Sequence, residues 1–91
     1  MADGIAFYGN GEYLFALDAF NAAVRESPRS AAAWNNRAIA RVRLGRLEDA
    51  IRDYNRAILL APRDPEIHFN RGNALVAAGQ YGAAVADFTR A

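Results

Sequence analysis

Few residues in this chain are of types that do chemistry, and their spacing decides what they can be. His68 is the only histidine, and there is no cysteine. A zinc or general-base site needs several groups converging on one point, and none stands at ligand spacing from His68, which reads as a structural residue. Gly9-Asn10-Gly11 begins like a phosphate-cradling glycine fingerprint, but the third glycine is missing and no strand precedes it. That segment reads as the turn between two helices. Glu48-Asp49, with Asp53 a turn later, reads as a solvated helix face. No nucleophile, base, metal set or cofactor site emerges, and the expectation is a protein that is not an enzyme and takes no cofactor. What remains are side chains that recognise rather than react: asparagines 35, 36, 70 and 73, interleaved with Ile39, Val42, Phe69 and Val76.

The chain has 91 residues, 53% of them apolar and 23% charged, which fits one small globular domain, taken as 1–91. No apolar run approaches the roughly 18 residues of a membrane span, and Met1-Ala2-Asp3-Gly4 lacks the basic start of a secretory signal. Membrane insertion is not expected. A net charge of +1 supplies no field for neutralising phosphates, so nucleic acid is not an expected partner. The absence of cysteine leaves the compartment open, with a cytoplasmic place favoured. Every basic side chain is arginine. That bias fits a GC-rich, bacterial-type genome, or a need for planar guanidinium forks at interfaces.

The elements that must position these residues emerge from an internal repeat. Shifted by 34 residues, the chain overlays itself: Gly11, Gly45 and Gly79 align, then Ala16, Ala50 and Ala84, then Phe20, Tyr54 and Phe88, then Ala23, Ala57 and Ala91. Pro28 and Pro62 close the first two units, and Asn36, Arg37 and Asp53 match Asn70, Arg71 and Asp87. The units run over about 1–30, 31–64 and 65–91. Each reads as two helices. Ser30 is a good N-cap for a helix from Ala31 to about Leu44, which Gly45 ends by suiting the left-handed position. A second helix runs from about Glu48 to Ala61, where Pro62 stops it. Asp64-Pro65-Glu66 supplies an N-cap, a first-turn proline and an acid on the helix dipole. The first unit is short in front, with an opening helix of only about residues 2–10 that contains Gly4 and Gly9, so it is expected to be the least stable. Small residues at 38, 50 and 72 let helix backbones approach, and the aromatic at 54 or 88 fills the space beside them, each such burial being worth about 1.5–3 kcal/mol.

A 34-residue helix-turn-helix unit reading Trp34, Ala38, Gly45, Ala50, Tyr54, Ala57, Pro62 resembles the tetratricopeptide repeat (TPR). The resemblance implies an all-α fold of six helices, antiparallel hairpins stacked as a short right-handed α-solenoid. Its first helices line a concave groove that holds a protein or peptide partner. Arg37, Arg71 and Arg41 depart from the pattern, standing where leucine or tyrosine is usual. Their stems are expected to pack while their heads reach water or an acid, Asp53 and Asp87 being candidates.

Helical spacing picks out the groove. Asn35, Ile39, Val42 and Arg43 form one stripe, and Glu66, Phe69, Asn73 and Val76 the equivalent stripe, with Ile5 and Tyr8 from the first unit. The strip either meets a partner or packs on neighbouring helices. Asn36 and Asn70 recur as two rungs at one edge, similar to the asparagine ladder of O-linked N-acetylglucosamine transferases. They either pair with a peptide backbone or satisfy a neighbouring helix. The carboxylate clamp of chaperone-binding tetratricopeptide domains is not expected: Glu66 stands where that clamp has a lysine, Ile5 where it has an asparagine, and Asn70 where it has an arginine.

The chain stops inside its last helix, which suggests a fragment of a longer repeat protein or a domain completed by self-association. Leu14 and Phe15 at one end and Leu75, Val85 and Phe88 at the other are the candidate contacts for a homo-oligomer. Two functions follow: a scaffold binding an extended segment in its groove, or a structural, self-associating repeat module.

Overall fold

The computed structural model describes residues 2–91, with side chains from Gly11 onward. Five helices follow in order: α1 (Ala2–Glu26), α2 (Ala31–Arg43), α3 (Leu47–Leu60), α4 (Pro65–Ala77) and α5 (Tyr81–Arg90). No strand occurs among the described residues. Each helix packs on the next, and α2 also touches α4. Connections of three or four residues leave room only for antiparallel neighbours.

The helix count is five rather than the six expected, because α1 runs unbroken through Gly9-Asn10-Gly11. Gly45 and Gly79 take φ of +78° and +80°, whereas Gly11 does not enter that region. The difference is one of compensation. At Gly45 the chain turns and recovers its hydrogen bonds: Arg46 N–H donates to the Arg41 carbonyl at 2.8 Å and Gly45 N–H to that of Val42 at 3.0 Å. Gln80 and Gly79 repeat the pattern on Leu75 and Val76, so both are Schellman closures. Two full helices, α2 and α3, then bury against each other. At Gly11, keeping the helical ladder costs about 1 kcal/mol per interior glycine, less than leaving several backbone groups to be satisfied anew.

The helix starts follow their local chemistry. Ser30 Oγ accepts from Ala33 N–H at 3.2 Å, and Asp64 accepts from Glu66 N–H at 3.0 Å, with Pro65 in the first turn. A second device joins each turn to the helix after it. The Trp34 indole N–H donates to the Pro28 carbonyl at 2.8 Å, and His68 Nε2 stands 2.9 Å from the Pro62 carbonyl. These pairs lie 34 residues apart, and a carbonyl can only accept, so His68 carries its proton on Nε2. The lone histidine thus does the indole's work.

At the centre, Ala38, Ala50, Ala57 and Ala74 have no exposed surface, and Tyr54 and Ile67 keep 2%. The alanines let α2, α3 and α4 approach, and Tyr54 fills the space between them. In the next hairpin Phe88 lies so close over Gly72 that a β-carbon there would stand 2.6 Å from its ring. That contact accounts for glycine at 72 where the second unit has Ala38.

The departing arginines form the other part of the interior. Arg37 forks onto Asp53, Nε to Oδ2 at 2.9 Å and Nη2 to Oδ1 at 2.8 Å, while its Nη1 donates to Asn21 Oδ1 on α1 at 3.2 Å. One repeat on, Arg71 forks onto Asp87 at 2.7 and 2.6 Å and reaches Asn55 Oδ1 on α3 at 2.9 Å. Each arginine therefore ties three successive helices. Asn21 and Asn55 also lie 34 apart, a match that would have signalled this third partner. Asp53 takes a second cation, Arg41 Nη1 at 2.9 Å; at the equivalent of Arg41 stands Leu75, and Asp87 instead faces His68 Nδ1 at 3.7 Å. Burial pushes the Asp87 carboxyl up, but the Arg71 hydrogen bonds and charge, with His68 beside them, outweigh it and hold it below the ordinary carboxylate range.

Replacing Asp53 with alanine leaves Arg37 and Arg41 facing each other half-buried, and is expected to cost about 3 kcal/mol in urea unfolding. For Asp87 the depressed value means that its share of stability is present above the unfolded carboxylate pKa, about 3.9, and is lost as pH falls through the lower folded value. Carboxyl-carbon NMR shifts are expected to show Asp87 titrating below the ordinary aspartate range, with helicity falling over that acid window.

Candidate functional site

Between α2 and α4 lies an open concavity of about 390 Å³, lined by Ile39, Val42 and Arg43 from α2, Glu66, Asn70 and Asn73 from α4, and Tyr54 from α3. Its position follows from the packing order. The first helices of two hairpins barely touch, while α3 bridges them from behind, so the hollow opens between α2 and α4 with α3 as its floor. Ile39 and Val42 pack down on the core cluster and leave only part of their surface free. Above that apolar base stand two side-chain amides, a guanidinium and a carboxylate.

Six residues of the sequence-derived stripes and edge meet in this hollow: Ile39, Val42, Arg43, Glu66, Asn70 and Asn73. The others lie elsewhere. Asn35 is buried at 7% exposure, its Oδ1 accepting from Asn70 Nδ2 at 3.2 Å. It works beneath the groove, orienting Asn70, and not at its surface. Asn36 is exposed on α2 and is not among the residues that line the concavity. Thus the two rungs are unlike: Asn70 commits one N–H to a neighbouring helix, while Asn36 stands open. Phe69 is half-exposed and packs on Phe88 with ring centroids 5.7 Å apart, so it belongs to the α4–α5 side of the stack. Val76 is also exposed outside the hollow. Ile5 and Tyr8 lie outside the residues whose side chains are described.

Tyr54 was legible as core but not as groove floor. It keeps 2% of its surface, and burial pushes its phenol up to about 12, with Asp53 adding to the rise and Arg43 opposing it. No spacing rule signals a residue of the rear helix whose edge reaches the front.

At the ends, Leu14, Phe15 and Val85 are exposed, Phe15 at 84% and Val85 at 64%, and Phe88 is partly covered at 38%. Leu75, expected on the open side, is buried at 5%. Its position repeats that of Arg41, within the hairpin, and it shares the lining of a second hollow with Asp87. Asp49 pairs with Arg52 on the exposed face of α3. Among the described residues no group of three His, Cys, Asp or Glu side chains converges as metal ligands do, and no helix is long and apolar enough to cross a membrane.

Residues 40–79 match the family model described as TPR repeat. Over these residues the chain carries a TPR repeat. Among solved structures, MamA from AMB-1 superposes with a TM-score of 0.82 at 20% identity, over 88% of this chain and 44% of that one. MamA 41-end from Desulfovibrio magneticus RS-1 gives 0.84 at 23% identity, over 93% and 51%. The chain spans about half the length of these MamA structures. The second TPR of Spaghetti (RPAP3), bound to the HSP90 peptide SRMEEVD, gives 0.84 at 27% identity, over 98% of this chain and 82% of that one. No curated protein matches the chain in sequence.

Tyr54 supplies a check on the groove floor. Its folded pKa is raised, so the stability that its burial contributes is present below the ordinary tyrosine value of 10.0 and is lost as pH rises toward about 12. Ultraviolet difference titration is expected to show one tyrosine ionising near 12, coincident with loss of helicity, and Tyr54→Phe is expected to remove that step while leaving the others.

Proposed function

We propose that this domain binds an extended segment of a partner protein in the concavity between α2 and α4. The observation that carries this reading is the lining itself: an apolar base from Ile39, Val42 and Tyr54, overlooked by the amides of Asn70 and Asn73. A carboxamide both donates and accepts, so it can pair with a peptide backbone whatever the side chains, while an apolar base of this kind rewards burial of one large side chain. A similar domain is bound to a peptide in the Spaghetti (RPAP3) structure. The carboxylate clamp stays outside this proposal, since Glu66 lines the hollow where a terminal carboxylate would need a cation.

Asn73 is exposed and can be changed with little effect on packing. Asn73→Arg, combined with Asn70→Ala, is expected to weaken partner binding by at least about 10-fold, since one good polar contact is worth roughly that much. Calorimetry with the partner segment measures it, and circular dichroism verifies folding. Unchanged affinity in a folded variant would remove the groove assignment.

A second reading is favoured by the apolar residues left exposed at the two ends, Leu14 and Phe15 on α1 and Val85 on α5. Apolar surface at both ends of a stack supports head-to-tail self-association. Light scattering is expected to show mass rising with concentration, with Phe15→Glu or Val85→Glu giving monomers. A wild-type monomer at every concentration counts against it.

A further inference from the structure

The groove contains one cation and one anion that the fold does not use. Arg37, Arg41, Arg52 and Arg71 all have acidic partners, whereas neither Arg43 nor Glu66 makes an ion pair among the described residues. Both nevertheless line the same concavity. Arg43 lies in the last turn of α2 and Glu66 in the first turn of α4, the helix ends that favour those charges. Each therefore holds its charge without the other. Between them lies the apolar base of Ile39, Val42 and Tyr54.

We propose, resting on the groove reading above, that this hollow is electrically polarised and selects an internal, dipolar segment in one direction only. Its ligand places an acidic side chain beside Arg43, an apolar one over Ile39 and Val42, and a basic one beside Glu66. In an extended chain alternate residues face the same side, so the pattern is acid, apolar and base at every second position. With the backbone direction fixed by the Asn70 and Asn73 amides, a segment with the reverse charge order meets like charge at both edges. A uniformly acidic or basic segment gains at one edge what it loses at the other. A chain end bearing a free carboxylate has a single cation to meet and a carboxylate opposite. Charge pairs at a solvent-facing rim add little affinity, but juxtaposed like charges discriminate strongly between partners. The arrangement is suited to setting direction and register more than strength.

The test uses the full chain and an array of heptapeptides, acetylated and amidated, with leucine at the centre. The residues two places either side of it are Glu and Lys, Lys and Glu, or Gln and Gln. One charge order is expected to bind about 10-fold more tightly than its reverse, from roughly 3-fold at each edge, with the Gln peptide between. The paired exchange Arg43→Glu with Glu66→Arg is expected to invert that preference, and 0.5 M salt to shrink it. Equal binding of all three peptides, still lost in Asn73→Arg, overturns the polarity and leaves the groove in place. A preference that survives the exchange unchanged also overturns it. Binding of no peptide in the array overturns both readings.

Discussion

The rest of the structure depends on a fork of two hydrogen bonds between a guanidinium and a buried carboxylate, made twice at the repeat distance. Arg37 grips Asp53 and Arg71 grips Asp87, and in each case the remaining guanidinium nitrogen reaches an asparagine on the helix before. Asp53 and Asp87 keep 2% and 1% of their surface, so neither carboxylate has water to fall back on. A buried carboxylate without partners is among the costliest groups in a protein interior. The two helices of each hairpin are therefore held in the register that lets both oxygens be satisfied. A leucine at 37 or 71 would bury equally well, since apolar replacements of buried ion pairs are often neutral or stabilising in energy alone. It would not fix rotation and translation, because apolar contact has no direction.

The same constraint builds the hollow. The helices α2 and α4 that face it touch only slightly, and their spacing is set from behind by α3. Ala50 and Ala57 bring α3 close, Tyr54 fills the gap, and Asn55 receives Arg71 from α4. The groove is thus a consequence of how the rear helix is bolted to its neighbours, with Tyr54 exposing one edge as its floor. In front, Arg43, Glu66 and Asn73 carry little of the packing and are free to vary without endangering the fold.

Interchangeable chemistry recurs around the frame. Trp34 and His68 differ in size and polarity, yet each directs one ring N–H at the carbonyl of the preceding turn. Arg37 also stacks 5.0 Å from the Trp34 ring, with Arg56 on it at 5.5 Å; in the third unit His68 has Asp87 beside it instead. The position demands a donor on a flat apolar body, and several side chains meet that demand.

The amino-acid sequence by itself determined the period, the turns and the helix ends. These depend on local backbone chemistry: left-handed glycines at 45 and 79, caps at Ser30 and Asp64, and Pro65 in a first turn. It also disclosed six of the groove residues, because spacing on a helix is a local property too, and it named Asp53 and Asp87 as candidate partners of the arginines. Only tertiary structure decided which face each stripe met. Asn35 went beneath the groove, Phe69 to Phe88, Leu75 into the hairpin, and Tyr54 reached through from the rear helix. It decided as well that the glycine at 11, aligned with two turn glycines, would stay helical. A turn there offers the same local geometry as at 45, but a turn persists only when the helices on both sides can bury each other, and that balance is invisible in any short stretch of sequence.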